Sequence, residues 1–527
     1  MSNEDRILVV LRRSQKQVSD EGLPPLTVNG LRRYIKTNSQ LNKEKSKEKA
    51  LELIKKGYAR TEDNPPESDT KVTEINLDKY KEDIGYIEEF EYSEHENLTE
   101  IAQNYADHLV EERNIRPVVI DGATLFYEYS HEKKKWVEKD WEIIKKMPHK
   151  HLDKQFTNHF FRQFKQSFKN HHKYISWNEL GLLEHEVLLR NGKILDLRTR
   201  ELREADKSDK ALNGINAIYN PEADPERIDE FLKRTMDTEE GLKALQEYIG
   251  YCLEWPSDQF EKALLILGNT DTGKSTLLKI LEKFFENSNT TNISFPQLGM
   301  NRAFHIDDLK DSVVNFDHDM SNKSIDRPSR IKKITSHEEI RADPKGKAGF
   351  KIRPKAKFII ASNNAPDDSS ADEAFYNRFV TVKATNRIDE ENKERNLVEE
   401  ITTEENMSWL LNWALEGLER LKKQNKFSNE RTEYDTKKEW DKFGSSVQKF
   451  ISQQIETNTE ESKNIPTTDV FEAYELWCET QLETPKSRQK FIAQAASHPD
   501  LSKVKTTAFD GGRRMCFKDI EVKDFAI

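Results

Sequence analysis

A chain of 527 residues allows about three or four domains at roughly 100 to 200 residues each, which excludes a single small module. Its hydrophobic fraction is 35% against 34% charged residues, and no uninterrupted apolar stretch approaches the ~18 residues needed to cross a bilayer, so membrane insertion is excluded. A net charge of -11 argues against a protein that coats nucleic acid indiscriminately, yet leaves room for local basic surfaces.

The amino terminus, MSNEDRILVVLRRSQ, has an apolar core of only ILVVL, too short for the h-region of a secretory signal. Cys252, Cys478 and Cys516 lie far apart with no CxxC or Cys/His pairing, so neither a disulfide framework nor a zinc ribbon is expected, and a reducing cytosol fits. Residues 1–97 hold a short apolar strand candidate, a lysine-rich helix from Asn42 to Lys56, and TEDNPPESDT, a turn-forming linker. Their role stays open.

Residues 98–223 read as an α+β domain, opening with a helix over Leu98–Glu112 and two β-rich runs in VVIDGATLFYEYSHEKKKWVEKD. Between His131 and Lys173 there are 12 Lys/Arg against 5 Asp/Glu. Phe156, Phe160, Phe164 and Phe168 recur every four residues, which predicts a buried helical stripe with the basic residues on its solvated face; a DNA-touching face is the alternative. His149 and His151, two apart, point to different faces of a helix and do not make a metal site. EVLLRNGKILDLRTREL pairs two apolar runs around Asn191-Gly192, a hairpin signal.

Helices are expected from Asp224 to Glu254, and then KALLILGNTDTGKSTLLKILEKFF changes the question. ALLIL is a buried-strand run, GNTDTGKS follows, and STLLKILEKFF has helical periodicity, so GxxxxGK[ST] stands in the strand, loop, helix context that gives the motif its meaning. Gly268, Asn269, Thr270, Asp271, Thr272, Gly273, Lys274, Ser275 and Thr276 are the candidate phosphate-binding residues. The glycines let the loop wrap phosphates, backbone N–H groups and the helix start favour anionic oxygens, Lys274 adds a point charge, and Ser275 can hold Mg²⁺. ATP and Mg²⁺ are therefore the expected cofactors.

Such a loop needs a second acidic element, and DSVVNFDHDMS supplies a strand ending in Asp317 and Asp319, expected on a neighbouring parallel strand. Either can serve the metal shell while the other assists. KFIIASNNAP ends a third strand in Asn363, an amide suited to sensing phosphate or orienting water, and EAFYNRFVTVKA places Arg378 just before a β-rich run.

The ordered set GNTDTGKST, NFDHDMS, IKKITSHEEIRADPKGKAGF, KFIIASNNAP and NRF resembles the superfamily 3 helicases of the phage, plasmid and poxvirus-type primase-helicase family. LLRNGKILDLRTREL, IYNPEADPERIDEFL and LQEYIGYCL extend the resemblance upstream, and SSVQKFI and VFEAYELWCE extend it downstream, so that residues 98–527 are covered. It implies an α/β fold: a P-loop AAA+-like ATPase core with a parallel sheet over 224–425, preceded by the α+β domain, followed by a linker at 426–444 and a winged-helix DNA-binding domain at 445–527. It implies an ATP-hydrolysing replicative DNA helicase of a virus or plasmid in its host's cytoplasm. The expected assembly is a ring, commonly a hexamer, with nucleotide sites between subunits and single-stranded or forked DNA as partner.

By that resemblance Lys274 and Ser275 serve phosphate and magnesium, Asp319 is the better-aligned acid, Asn363 the sensor and Arg378 a finger reaching the next subunit's nucleotide. His318 separates the two aspartates where the family often has adjacent acids or a glutamate, which leaves the water-activating residue open. The family's DNA-gripping hairpin corresponds to EEIRADPKGKAGFKIR, which independently reads as strand, turn, strand with Lys345 and Lys347 near the tip. Helices after Val447 and a basic hairpin in KVKTTAFDGGRRMCFKDI suit DNA docking, with Lys505, Arg513 and Arg514 as phosphate contacts. Residues 1–97 show no DxD-type cluster followed by a histidine, so a separate primase or origin-binding protein is expected as partner. Two other classes stay in view: an ATP-gated origin-recognition or DNA-binding assembly factor without processive unwinding, and a P-loop ATPase acting on protein.

Overall fold

The computed structural model describes residues 96–148, 157–225, 227–300, 306–320, 327–344, 349–365, 373–388, 394, 396–481, 483–498, 501–509 and 512–523. Shorter stretches precede them at 10–11, 14–15, 26–28, 31, 33, 35, 49–54, 59–61 and 72–75. The chain divides into two compact units, one comprising 1–119, 124–179 and 206–208, the other 120–123, 180–205 and 209–527. The stretch 98–223, read from sequence as one domain, is thus shared between them.

In the first unit, β1 (Ala59–Thr61) and β2 (Val72–Ile75) pair antiparallel. Val10 and Leu11, from the apolar run read as a strand, are helical and buried; a five-residue apolar run fits either element until packing decides. Helix α1 (Leu98–Glu111) starts at a capping box in which Asn97 accepts from the Thr99 and Glu100 amides while the Glu100 carboxylate accepts from Asn97 N. Strands β3 (Ile115–Ile120), β4 (Ala123–Ser130), β5 (Lys135–Glu138) and β6 (Ile175–Ser176) form one sheet in the order β5-β4-β3-β6. The Asp121-Gly122 turn between β3 and β4 has φ of 43° and 76°.

Helix α2 (Asn158–Lys169) carries the predicted stripe. Phe160, Phe164 and Phe168 are fully buried against Tyr105 and Leu109 of α1 and Phe126 of β4, so these aromatics are core. Phe156, His149 and His151 lie outside the described residues.

The second unit begins with an antiparallel sheet of β7 (Glu186–Leu188), β8 (Lys193–Asp196) and β9 (Leu202–Glu204), with Gly192 at φ 76° in the predicted turn. Helices α3 (Ile228–Thr235) and α4 (Glu239–Leu253) follow. Then comes a five-stranded parallel sheet of β10 (Ala263–Leu267), β11 (Thr290–Thr291), β12 (Val314–Asp317), β15 (Lys357–Ser362) and β16 (Phe379–Lys383), in the order β11-β12-β15-β10-β16. Every residue of β10, β12 and β15 is buried, as parallel strands covered on both faces require. Helix α5 (Lys274–Phe284) follows β10, and helix α6 (Pro328–Thr335) precedes the separate antiparallel pair β13 (Ile340–Ala342) and β14 (Phe350–Ile352).

Helix α7 (Glu404–Gln424) packs along α4, where Gly250 and Gly417 permit close backbone approach: a Cβ on Gly250 would meet Ala414 O at 2.3 Å. Residues 426–444, read as a linker, carry helix α8 (Glu433–Asp441), whose Trp440 is buried among Phe375, Tyr376 and Phe379. The carboxyl-terminal part combines α9 (Ser446–Gln454), α10 (Thr467–Thr480) and α11 (Arg488–Ser497) with a sheet of β17 (Ile455–Thr457), β18 (Lys463–Pro466), β19 (Lys503–Phe509) and β20 (Gly512–Val522). Phe450, Tyr474, Trp477, Phe491 and Phe517 fill its core. Among the described residues no helix is long and apolar enough to cross a membrane.

Candidate nucleotide site

The loop between β10 and α5 leaves the carboxyl end of a strand flanked by β15 and β16, the position at which open parallel sheets present ligands. Gly268 is required there. A Cβ would lie 1.8 Å from the carbonyl oxygen of Ala384, which is held in place because Ala384 N donates to Leu267 O at 2.8 Å. Gly273 adopts φ 89° directly before α5, beside Thr235 and Phe231 of α3, and no side chain caps the helix start. Asp271 also has positive φ, at 61°, and its carbonyl accepts from Ile388 N at 2.8 Å, so the segment after β16 walls the loop. That segment is itself fixed by Asp237, which accepts from Thr385 N at 2.7 Å and from its hydroxyl at 2.6 Å.

Lys274 is buried, and its Nζ donates to Gly268 O at 2.8 Å, to Asn269 O, and to Thr272 Oγ1 at 3.3 Å. Burial pushes its ammonium down to about 8, against the opposing fields of Asp319 and Asp271. Asn269, Thr270 and Ser275 are exposed, Thr276 is half-buried, and Thr272 is buried with its hydroxyl donating to Asn269 O at 3.2 Å.

The acidic strand is not the neighbour of β10 that sequence reading expects: β15 lies between them. A crossover to the far side of a sheet leaves no local pattern in sequence, because strand order is fixed by pairings between distant segments. Asp317 is buried and accepts from Phe295 N at 2.7 Å, whereas Asp319 is exposed. Burial raises the Asp317 carboxyl above its usual range, backbone amides of Phe295 and Asp319 pull it back, and the Asp319 charge adds to the rise. Asn363 stands immediately beyond β15, next to the loop, since Gly268 N donates to Ser362 O at 3.2 Å.

Loop, acids and amide therefore gather at one end of the sheet. Arg378 does not join them. Its carbonyl accepts from Ala263 N at 2.7 Å, at the amino end of β10, which at about 3.3 Å per residue lies roughly 17 Å from the loop. Its guanidinium pairs with Glu261.

Sequence reading missed Glu282 of α5, whose Oε1 lies 2.9 Å from His318 Nε2 and ties the acidic turn to the phosphate-loop helix. No local signal marks it, because Glu282 is one charge among several on an amphipathic helix.

The residues present fit a nucleotide with Mg²⁺. The loop has the close-approach glycines, a lysine already solvating carbonyls, and an uncapped helix start. Ser275 with Asp319 or Asp317 offers the one or two protein oxygens Mg²⁺ uses alongside phosphate. Among the described residues no three His, Cys, Asp or Glu side chains are grouped to hold a metal on their own.

Of the predicted DNA contacts, Lys345 and Lys347 lie outside the described residues. Their hairpin stem has Ile340, Ala342, Phe350 and Ile352 buried, and Arg341 opposite Lys351 outside. Arg514 is exposed on β20, opposite Thr506; Lys505 is placed opposite Met515 by its backbone, and the side chains of Lys505 and Arg513 lie outside the described residues.

Residues 266–378, from the end of β10 to Arg378, match a family described as one of unknown function (DUF5906). No curated protein matches the chain. Among solved structures it is similar to the C-terminal region of NrS-1 in an A-form apo structure, at 12% identity and a TM-score of 0.40, covering 79% of this chain and 99% of that one. A second apo structure of that region gives 12%, 0.40, 79% and 98%, and another A-form apo structure 13%, 0.39, 79% and 99%.

Proposed function

We propose that this chain is an ATP-dependent replicative DNA helicase of a virus or plasmid replicon, built on an AAA+-like P-loop core with a carboxyl-terminal winged-helix module and working as a ring, commonly a hexamer. The observation that carries this reading is the gathering of the Gly268–Ser275 loop, Asp317, Asp319 and Asn363 at the carboxyl ends of β10, β12 and β15. Mg²⁺ bound with ATP would neutralise charge developing on the phosphates. Lys274 and the backbone N–H groups at the start of α5 hold the phosphates, Ser275 and Asp319 hold the metal, and Asp317 fixes the acidic turn through Phe295 N.

The position of Arg378 at the far end of the same parallel strands supports a role on a second copy's nucleotide rather than its own, with sites between subunits. Lys345 and Lys347 at the β13–β14 tip, with Lys505, Arg513 and Arg514, meet DNA phosphates; a motor needs contacts of this kind, which neutralise the backbone without reading bases.

Unwinding of a forked duplex with ATP and Mg²⁺ tests the reading. Lys274→Ala is expected to abolish hydrolysis and unwinding, whereas Lys345→Ala/Lys347→Ala spares basal hydrolysis and loses unwinding. An intact protein that hydrolyses ATP and binds DNA but separates no fork would instead be an ATP-gated assembly factor.

A further inference from the structure

The geometry of α2, in the first unit, points to a second nucleic-acid surface: we propose that the cationic face of this helix is a docking track for single-stranded DNA. With Phe160, Phe164 and Phe168 buried, α2 leaves Arg162 exposed and Lys165 and Lys169 half-buried, and the helix contains no carboxylate at all. Spaced i, i+3 and i+7, these cations form one stripe about 10 Å long.

The turn after Ile144 adds Lys145 and Lys146. Lys145 Nζ stands 5.7 Å from the Phe161 ring and Lys165 Nζ 4.8 Å from the Trp141 ring, so the cations lie on half-buried aromatics. Two carboxylates face the group: Asp140, which accepts from Glu142 N at 2.6 Å, and Glu142, 3.7 Å from Lys145. Among the described residues, five cations against these two acids leave a local surplus of three positive charges on a chain whose net charge is -11.

Burial lowers the Lys165 ammonium most, and Lys169 and Lys145 lower it further against Glu142 and Asp140, so like charges stand close together here. A polyanion relieves this repulsion. Cations interleaved with aromatic rings are the chemistry of sequence-tolerant single-strand binding, in which phosphates meet the charges and bases stack. An acidic protein partner would call for an apolar centre to its interface, whereas Trp141 and Phe161 here lie half-buried under Lys165 and Lys145, leaving Ile143 as an exposed apolar side chain.

The test is fluorescence anisotropy of a labelled oligothymidylate with the full chain, without nucleotide, from about 50 to 200 mM salt. It therefore stands or falls independently of ATP hydrolysis and unwinding. Neutralising three phosphate contacts with Arg162→Gln/Lys165→Gln/Lys169→Gln is expected to flatten the log–log salt slope by about 2, so that the intact chain loses about 20-fold more affinity than the variant across that range. Basal ATP turnover should be unchanged, because none of the three belongs to the nucleotide site. Since Lys165 also covers Trp141, the milder Arg162→Gln/Lys169→Gln keeps that contact and should flatten the slope by about 1.4. An unchanged slope and affinity in both variants would overturn the proposal. So would equal competition by polyglutamate, which would assign the face to an acidic protein, or by a duplex of the same length.

Discussion

One methyl group at Gly268 is enough to probe how the phosphate loop is held. The Cβ of Gly268→Ala would stand 1.8 Å from the Ala384 oxygen and 2.5 Å from its carbonyl carbon, whereas real Cβ contacts stay above 3.0 Å. The obstacle is backbone, so no rotamer relieves it. Retreat of Ala384 by about 1.2 Å draws its amide away from Leu267 O and pulls on the Asp237 clamp of Thr385. One or two buried hydrogen bonds at about 1 kcal/mol each, added to about 1–3 kcal/mol for overpacking, give a loss of roughly 2–5 kcal/mol. The loop carbonyls that Lys274 holds move with Gly268, so nucleotide affinity falls as well. Calorimetric melting of the full chain and titration with a fluorescent ATP analogue measure both. Gly122→Ala is the control, since nothing lies within 4 Å of its Cβ and only its φ of 76° is penalised, by about 1 kcal/mol. A Gly268→Ala protein that melts and binds nucleotide like the parent would refute the claim that the Ala384 carbonyl fixes this loop.

Two further outcomes test other parts of the second unit. Lys357 is buried at the amino end of β15, its Nζ donating to Ser257 O and lying 4.4 Å from the Tyr251 ring, and burial brings its ammonium down to about 7. Below pH 7 both folded and unfolded chains hold this proton and the burial cost is fully present; from about 7 to the ~10.4 of free lysine only the unfolded chain holds it, so stability rises with pH across that window. Melting temperature measured against pH should show this rise in the parent and a weaker one in Lys357→Met. The Glu282–His318 contact should appear in a double-mutant cycle of Glu282→Ala and His318→Ala as a coupling of about 0.5–1.5 kcal/mol in stability, and ATP turnover should fall more than ATP affinity does; additive effects would mean that the acidic turn is held by its backbone alone.

Much of this organisation is legible in local pattern, and what is not has a common cause. The strand, glycine loop and helix over 263–284 declare themselves because β10, the glycines and α5 are contiguous, and the phenylalanine stripe does so because a period of four residues is a helix's own. Strand order is different: β15 separates β12 from β10 through pairings such as Asn315 with Phe358 and Leu264 with Ile359, and neither segment alone indicates its partner. The hydrogen bond between His318 Nε2 and the Glu282 carboxylate spans 36 residues and two elements, so only packing reveals it. Trp440 reads as part of a charged connecting segment, yet its Nε1 donates to Thr381 Oγ1 at 3.0 Å within an aromatic cluster, and that burial makes a helix of residues 433–441.

Sheet polarity also constrains how the two ends of the parallel sheet can cooperate. All five strands run the same way, so everything that follows a strand gathers at one end and everything that precedes one gathers at the other. Gly268–Ser275 and Asn363 follow their strands and Asp317 closes β12; Arg378 and Glu261 precede β16 and β10. The roughly 17 Å between these ends is set by strand length and cannot be closed by a side chain of Arg378 that already reaches Glu261. Arg378 therefore stays out of reach of its own chain's loop, and under the proposed reading, in which it serves another copy, the ion pair with Glu261 is what it would give up.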